Sequence, residues 1–332
     1  MAKEVIVRAG EDPEGFATLF DEMPIEILDG DPLYGRFGRR YYPAVFGENV
    51  VDRSFAVVAP SGTCVVECDV LDGILGRFGM PLRIVTRTED RSLRPAIKRA
   101  IEELLVIGAE TPAERIDVAD SMTRDTVSEV GLACLAAGGS LRPALHAVAD
   151  LSRSDEELRA DVRRRYKSHF NWGRRSLGLA YCNRANPDRV LFQSYQDLHE
   201  QVARRKTRSQ ASWDAMYETI AEGGGELTLS TLDGALVGGL LVVDGRVSCY
   251  YASAAYVRER FDHPLGHWPM MDAMIRARRR GVRFFDVGEI PMSGDATEKE
   301  ESIGFFKKGF TARVEIRPIW ELTSHGDDPR PT

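Results

Sequence analysis

The chain has 332 residues, of which 43% are hydrophobic and 29% charged. This length and composition predict a globular protein of about two domains and exclude a disordered or collagen-like chain. The formal net charge of −7 argues against a protein whose whole surface binds nucleic acid, and we expect no DNA partner, although a local basic patch is compatible with it.

The cellular location is predicted from what the sequence lacks. The longest uninterrupted apolar run, Ala235 to Val243, is too short to span a bilayer, which takes about 20 residues. The N-terminal residues carry early acidic side chains and no apolar core of a signal peptide. The five cysteines are scattered and form no CxxC pair. We therefore expect a cytoplasmic protein with reduced thiols, no stable membrane insertion and no zinc site.

The first predicted elements are strands that meet at tight turns. Residues 54–69 alternate apolar and polar side chains around Gly62, and residues 226–243 repeat this pattern around Gly234. A two-residue turn between alternating runs is typical of a β-hairpin. The two glycines are 172 residues apart, which is the first indication that the chain contains two copies of one unit.

A helix and then a strand follow each hairpin. Proline opens each predicted helix and glycine closes it: Pro95 and Gly108 in the first copy, Pro269 and Gly281 in the second. The strands after them carry Asp117 and Asp286, which are 169 residues apart. This nearly constant offset predicts a tandem duplication of one α/β unit with mixed sheets. We expect domains at 1–150 and 151–322 and a polar tail at 323–332.

Further elements are predicted between and after the two copies. Ser154 is the expected N-cap of a helix that continues through a basic run to Arg175. The remaining predicted elements are a strand at 189–193, helices at 195–206 and 213–222, and a last strand at 313–320.

The C-terminal helix carries a candidate catalytic lysine. Thr297 and Glu300 predict a capping box at its start, and Lys307 lies in its last turn between Phe306 and Phe310. A lysine flanked by aromatic side chains is partly desolvated and strongly positive, so it can stabilise a developing oxyanion or hold a phosphate. The alternative is an ordinary cation at a helix C-terminus.

A basic stretch of the helix after Ser154 is a candidate substrate-binding surface. On a helix, Arg163 and Lys167 share a face with Phe170, and cations beside an aromatic ring suit phosphate groups. The alternative is a solvated helix whose cations pair with Asp161 and Glu157.

Five further residues are candidates for substrate binding. Arg204 and Arg208 end a predicted helix, where cations either bind substrate or complement the helix dipole. Tyr250 and Tyr251 end a strand of the second copy, and His267 lies near a helix start. Ligands bind at such element ends in open α/β sheets. The alternative for His267 is a buried structural histidine.

Several common catalytic motifs are absent from the sequence. There is no Walker phosphate loop, no GxGxxG after a strand, no HExxH and no GxSxG. Neither of the two predicted helices is preceded by the Q/RxxGxG/A loop with which CoA-dependent acetyltransferases hold pyrophosphate. His263 and His267 are four residues apart, but Pro264 lies between them and no third ligand is evident, so no metal site is predicted.

The second half of the chain resembles the Fem family of peptidyltransferases, a branch of the GNAT-like acyltransferases. The residues that carry the resemblance are the run YYASAAY from Tyr250, the helix WPMMDAMIRARRRG, the strand FFDVGE, and the C-terminal TEKEESIGFFKKGF. The basic runs RRRYKSHFNWGRR and LHEQVARR are also similar to the family. The resemblance covers residues 150–322 best and implies two tandem GNAT-like domains.

The resemblance also implies an activity. Members of the family transfer an aminoacyl group from aminoacyl-tRNA to an amine, classically on a peptidoglycan precursor. By this likeness Lys307 matches a lysine near the reacting acyl group, and Arg163 and Lys167 match the basic stretch that opens the second domain. Glu289 stands where many bridge-forming members have glycine. The acceptor therefore stays open among cell-envelope, surface-glycan and natural-product precursors that carry phosphate.

The chemistry expected of such an enzyme is direct attack of an amine on an activated ester. The enzyme must align the two groups and stabilise the oxyanion, and no covalent nucleophile or resident cofactor is required. Asp286, Glu289 or the substrate itself can accept the amine proton. Two alternatives remain at this stage: a CoA-dependent N-acyltransferase of a nucleotide-linked amino sugar, and a non-catalytic protein that binds anionic glycans or RNA.

Overall fold

The computed structural model describes residues 4–88, 90–120, 127–292 and 296–323. In chain order the first elements are β1 (Val5–Arg8), α1 (Pro13–Asp21), α2 (Ile25–Leu28), α3 (Arg36–Phe46), β2 (Phe55–Ala59), β3 (Gly62–Glu67), β4 (Asp69–Leu71), β5 (Ile74–Gly76), β6 (Leu82–Thr86), α4 (Arg94–Glu110), β7 (Arg115–Ala119) and α5 (Glu129–Ala136). The later elements are β8 (Ser140–Asp150), α6 (Asp155–Asp161), α7 (Arg164–Ser176), β9 (Leu177–Cys182), α8 (Arg189–Ala203), α9 (Gln210–Ala221), β10 (Gly225–Leu232), β11 (Ala235–Asp244), β12 (Ser248–Tyr256), α10 (His267–Arg279), β13 (Phe284–Ile290), α11 (Glu298–Lys307) and β14 (Val314–Thr323).

The chain divides into two compact units. Unit 1 consists of Met1–Ile27, Phe46–Ala144 and Ile316–Thr332, and unit 2 of Leu28–Val45 and Leu145–Glu315. The domain boundaries at 150 and 322 stay a prediction, and residues 324–332 of the expected tail lie outside the described residues. None of the helices in the described ranges is long and apolar enough to cross a membrane.

Unit 1 contains a mixed sheet and one core. Its strand order is β1-β2-β3-β6-β7-β14, and β6 runs parallel to β7 over two residue pairs. The predicted first hairpin is confirmed, since β2 and β3 pair antiparallel from Ala59 and Gly62 outward. The helix α4 buries Ile97, Ile101 and Leu104 against this sheet, as their helical spacing predicts.

Unit 2 repeats this arrangement. Its strand order is β8-β13-β12-β11-β10-β9, with β12 and β13 parallel and the other pairs antiparallel. The turn between β10 and β11 places Asp233 at φ +52° and Gly234 at φ +80°, the two left-handed positions that a tight hairpin turn needs. One core lies under α10, and a second lies under α8 and α9.

The two units share a hairpin, a further strand, a long helix and an aspartate-bearing strand in the same order, and this confirms the predicted fold class. Unit 1 has two additional strands, β4 and β5, between its hairpin and β6. The strand β8, which follows α5 in the chain, pairs with β13, and β14, which follows α11, pairs with β7.

Two local predictions are wrong. Residues 189–193 begin the helix α8 rather than forming a strand, because Asp188 caps the N–H groups of Val190 and Leu191 and the buried side chains recur at helical spacing. The strand lies earlier, at β9. The single helix expected after Ser154 is broken, since Val162 is extended and Arg163 is not helical between α6 and α7. The capping box of Thr297 and Glu300 is confirmed.

Candidate functional site

The candidate site of unit 2 lies where β12 and β13 diverge. These parallel strands pair at only three positions, the last of which is Tyr250 opposite Asp286. Beyond this residue pair the two strands no longer pair with each other, although β12 continues to Tyr256 and β13 to Ile290. A β-bulge in β13 between Asp286 and Gly288 accompanies the divergence. Bulges next to a strand opening re-aim side chains, and here the side chains concerned are the predicted catalytic ones.

Asp286 is the buried anionic centre of this opening. Asp286 is 3% exposed, and its Oδ1 accepts a hydrogen bond from the backbone N–H of Gly288 at 2.7 Å. The Nδ1 of His146, on β8, lies 3.0 Å from Asp286 Oδ2 and 3.2 Å from Oδ1. A buried carboxylate requires such partners, because burial without hydrogen bonds is costly.

Lys307 reaches the same bulge from the last turn of α11. Its Nζ donates a hydrogen bond to the carbonyl oxygen of Glu289 at 2.9 Å. Gly288 has φ +109°, and a Cβ on it would lie 2.8 Å from Lys307 Nζ, so glycine leaves the space that the ammonium occupies. Burial lowers the pKa of Lys307, while the charges of Asp286 and Glu289 act in the opposite direction. The Glu289 side chain itself is exposed.

Arg163 holds the start of α7 against the end of α11. Its guanidinium carbon lies 3.6 Å from the ring centroid of Phe305, and its Nη1 donates to the carbonyl oxygen of Phe305 at 3.1 Å. The neighbouring Tyr166 donates its hydroxyl to the carbonyl oxygen of Phe306 at 3.2 Å. Arg163 therefore positions the segment that carries Lys307 as well as presenting a charge.

His267 lies at the start of α10 among aromatic rings. Its ring centroid is 4.4 Å from those of Tyr166 and His169 and 5.3 Å from that of Phe306, each near perpendicular. Burial lowers the pKa of His267 to about 4, and neighbouring positive charges add to this effect. The side chain is therefore neutral near pH 7 and contributes packing rather than charge. In the described ranges no group of three or more His, Cys, Asp or Glu is placed to hold a metal ion.

Comparison with known proteins identifies the fold of the chain. Residues 156–300 match the family model described as "Acetyltransferase (GNAT) domain". The solved structure of FemX is 14% identical, covers 97% of both chains and has a TM-score of 0.65. The chain has a Fem-like tandem GNAT fold. A tandem GNAT protein from the clavulanic acid biosynthesis pathway is 15% identical, with 98% of this chain and 100% of that chain covered and a TM-score of 0.56.

A third similar structure is L-PGS from Bacillus licheniformis. It is 12% identical, covers 93% of this chain and 91% of that chain, and has a TM-score of 0.54. No curated protein matches the sequence. The family model and the GNAT fold together support an acyltransferase of GNAT type.

Unit 2 brings only some of the predicted binding residues to the place where β12 and β13 diverge. Tyr250, the register partner of Asp286, packs against the core under α8, whereas Tyr251 packs against the core under α10. Arg208 donates hydrogen bonds to the hydroxyls of Tyr41 at 3.1 Å and Ser253 at 3.4 Å. Arg204 is exposed and ends α8 in a left-handed conformation at φ +56°. Arg208 thus has structural partners, and Arg204 is a surface cation.

The alternative for the basic helix was that its cations pair with Asp161 and Glu157, but both carboxylates have other partners. Asp161 pairs with Arg153, and Glu157 completes the capping box of Ser154. The exposed cations of α7 make no ion pair within the described ranges: Arg164, Arg165, Lys167, Arg174 and Arg175. Lys167 is exposed, whereas Phe170 belongs to the core, so the binding role of the face that they share stays a prediction.

The sequence interpretation missed His146. It lies in the alternating run that forms β8, outside every motif that pointed to the site, and only the pairing of β8 with β13 brings it to Asp286. No local signal identifies it. At the corresponding place in unit 1, Asp117 is paired with Arg115 and Arg142 instead, and α5 contains no lysine. Of the two repeats, unit 2 therefore carries the combination of aspartate, histidine and lysine.

Proposed function

We propose that the protein transfers an aminoacyl group from aminoacyl-tRNA to an amine of a phosphate-bearing precursor in the cytoplasm. The observation that carries the proposal is the half-buried ammonium of Lys307, held at the divergence of β12 and β13 beside Asp286. The precursor belongs to cell-envelope, surface-glycan or natural-product biosynthesis.

Lys307 suits the stabilisation of an oxyanion. Its hydrogen bond to the Glu289 carbonyl uses one of the three ammonium protons, and the others are available to a ligand. A preorganised cation in a partly desolvated site stabilises the negative charge that develops when an amine attacks an ester carbonyl. No proton transfer by the lysine is needed for this role.

The state of the thiols supports direct attack without a covalent intermediate. All five cysteines are buried and unbonded. Burial raises the pKa of every one of them, to about 12 for Cys64 and Cys134. A buried thiol with a raised pKa is inert as a nucleophile.

The donor is inferred from charge and from similarity of fold. The exposed cations of α7 make no ion pair within the described residues of a protein with net negative charge, and such cations suit the phosphates of a tRNA acceptor end. The resemblance to the Fem family implies the same donor. A further similar structure, the C-terminal domain of a putative lysylphosphatidylglycerol synthetase from Agrobacterium fabrum, is named for an aminoacylated, phosphate-bearing product.

A CoA-dependent N-acyltransferase is the second candidate, because the matching family model describes an acetyltransferase. The loop before α10 counts against it. The backbone N–H groups of Phe261, His263 and Leu265 donate within that loop, to Arg258, Arg260 and His263. They are therefore not free to cradle a pyrophosphate as such loops do.

The proposal is tested by retention of bulk aminoacyl-tRNA on filters with the purified protein at moderate salt. We expect charged tRNA to be retained above uncharged tRNA, and excess acetyl-CoA to leave retention unchanged. Competition by acetyl-CoA, or equal retention of charged and uncharged tRNA, contradicts the proposed donor. Retained complexes are then incubated with glycinamide as a surrogate amine, and the aminoacyl-glycinamide formed is measured by mass spectrometry.

The role of Lys307 is tested by Lys307→Met, with Lys308→Met as the matched control. Loss of one oxyanion-stabilising group costs about 10²–10³-fold in rate. We expect this loss of transfer to glycinamide for Lys307→Met, with unchanged retention of aminoacyl-tRNA. Lys308 is exposed, so its variant should retain full transfer. Equal rates for the two variants contradict the assignment.

A further inference from the structure

We propose that His146, oriented by Asp286, is the base that accepts the proton of the attacking amine. This inference rests on the proposed function and names the group that the sequence left open. It assigns Asp286 a positioning role through His146, while Lys307 acts on the carbonyl oxygen.

The hydrogen bond between the two side chains fixes the tautomer of His146. An ionised carboxylate only accepts hydrogen bonds, so the Nδ1 of His146, 3.0 Å from Asp286 Oδ2, carries the proton. The Nε2 then holds the lone pair and is the basic atom. The backbone N–H of Gly288 anchors the same carboxylate at 2.7 Å, which keeps the imidazole in one orientation.

The basic nitrogen is open to a ligand. The side chain of His146 is 12% exposed, and across the described residues its only hydrogen bonds are those to Asp286. Its Nε2 is not among the buried atoms without a partner, whereas the Nδ1 atoms of His169 and His267 are. An unpartnered and accessible Nε2 is the arrangement that a general base requires.

Three charged groups lie near this pair. Asp286 contacts His146 directly, Glu289 is the register partner of His146 on β13, and the Lys307 ammonium on α11 interacts with the charges of both carboxylates. Asp286 is itself a poor candidate for the base, because its carboxylate is buried and already accepts two hydrogen bonds. Glu289 is exposed, and within the described residues no hydrogen bond holds its carboxylate in place. Histidine is the side chain that most often serves as a general base in enzymes.

The proposed step is balanced in atoms and charge. The neutral amine forms a bond to the ester carbon, the carbonyl oxygen becomes an oxyanion beside the Lys307 ammonium, and the nitrogen becomes positive. Its proton passes to His146 Nε2. The bond from carbon to the ribose oxygen then breaks, and the imidazolium returns the proton to that oxygen. The products are an amide and a free tRNA hydroxyl, and His146 is neutral again.

The first test requires no substrate. The protein contains six histidines, so labelling with [15N]histidine and long-range ¹H–¹⁵N correlation resolves each tautomer. We expect His146 in the Nδ1–H form near pH 7.5, and a shift toward the Nε2–H form in Asp286→Asn, whose amide can donate. An Nε2–H tautomer in the wild-type protein overturns the proposal, because Nε2 then has no lone pair to offer.

The second test separates catalysis from folding. In His146→Asn the amide nitrogen replaces Nδ1 and keeps the hydrogen bond to Asp286, but no basic atom remains. We expect transfer to glycinamide to fall about 10²-fold or more, with unchanged retention of aminoacyl-tRNA and loss of the decline in rate at acid pH. Added imidazole should restore part of the rate. His263→Asn is the control, since the ring of His263 stacks on that of Trp172.

A third test measures the coupling between His146 and Asp286 in the rate of transfer. If Asp286 acts through His146, the double variant His146→Asn/Asp286→Asn is no slower than His146→Asn alone. A full acid limb in His146→Asn, or multiplicative losses in the double variant, contradicts the proposal. If aminoacyl-tRNA gives no transfer with the wild-type protein, the proposed function fails, while the tautomer measurement still decides the state of His146.

Discussion

The substitution Gly288→Ala tests the geometry of the site without knowledge of the substrate. Gly288 has φ +109°, a conformation that residues with a Cβ rarely adopt. Its added Cβ would lie 2.8 Å from Lys307 Nζ and 3.2 Å from Cε. The lysine end must therefore move, and this breaks its hydrogen bond to the Glu289 carbonyl.

The expected loss of stability has two parts. Holding a non-glycine residue in such a backbone conformation costs about 1–3 kcal/mol. Loss of the Lys307 hydrogen bond costs about 0.5–1.5 kcal/mol more. We therefore expect Gly288→Ala to lower the free energy of unfolding of unit 2 by about 1.5–4.5 kcal/mol.

Urea-induced unfolding of four proteins separates the two parts: wild type, Gly288→Ala, Lys307→Ala and the double variant. In the Lys307→Ala background the hydrogen bond is already absent, so Gly288→Ala costs only the backbone part. The coupling free energy should be about 0.5–1.5 kcal/mol. Gly281→Ala is the matched control, because Gly281 has φ +88° with open space around its Cβ position.

Two results refute this reasoning. A free energy of unfolding within about 0.5 kcal/mol of wild type for Gly288→Ala shows that the bulge does not need glycine. Equal losses for Gly288→Ala and Gly281→Ala, with strict additivity in the cycle, show that Lys307 does not occupy the space beside Gly288. Transfer to glycinamide should also fall in Gly288→Ala, because the ammonium is displaced.

Three further predictions concern stability and reactivity. Burial raises the pKa of Glu226, but hydrogen bonds from Arg276 and Asn183 outweigh it, so the folded pKa is lowered. The ionised Glu226 then contributes fully to the free energy of unfolding above about pH 4.3, and this contribution is lost as the pH falls further. Urea unfolding between about pH 3 and 7 should show this loss in the wild-type protein but not in Glu226→Gln. Burial raises the pKa of Asp69 to about 6. The unfolding free energy of unit 1 should therefore decline as the pH rises from about 4 to 6, and Asp69→Asn should flatten this decline in the same titration; an unchanged slope contradicts it. Because the five thiols are buried, less than one thiol per chain should react with Ellman's reagent in the native protein, and all five should react in urea. A thiol that reacts fast in the native protein would contradict the proposal of direct attack without a covalent intermediate.

Much of the fold followed from local patterns. The hairpin turns at Gly62 and Gly234 and the capping box at Thr297 depend on residues adjacent in the chain, so the sequence predicts them directly. The stripes of apolar residues on α4 and α10 likewise specify both helices and their buried faces. The strand predicted at 189–193 was wrong because Val190, Leu191 and Phe192 favour a strand locally, and burial of one face of α8 overrides that preference.

The candidate site was predicted only in part. Asp286 and Lys307 were found because each lies in a recognisable segment, a strand after a helix and a lysine between aromatic residues. Their meeting at the bulge of β13 depends on the docking of α11 beside Gly288, which no short-range pattern encodes. Arg208 donates hydrogen bonds to Tyr41 and Ser253, and its expected role in substrate binding stays a prediction.

By itself, the sequence determined the duplicated α/β units, the reduced and scattered cysteines and the lysine that ends α11. These properties follow from composition and from periodicity within 20 residues or so. Only the tertiary structure decided the composition of the site. His146 reaches Asp286 because β8, which follows α5 in the chain, pairs with β13 across 140 positions of sequence. A contact of that separation is set by strand pairing in the finished sheet, and no local pattern of residues specifies it.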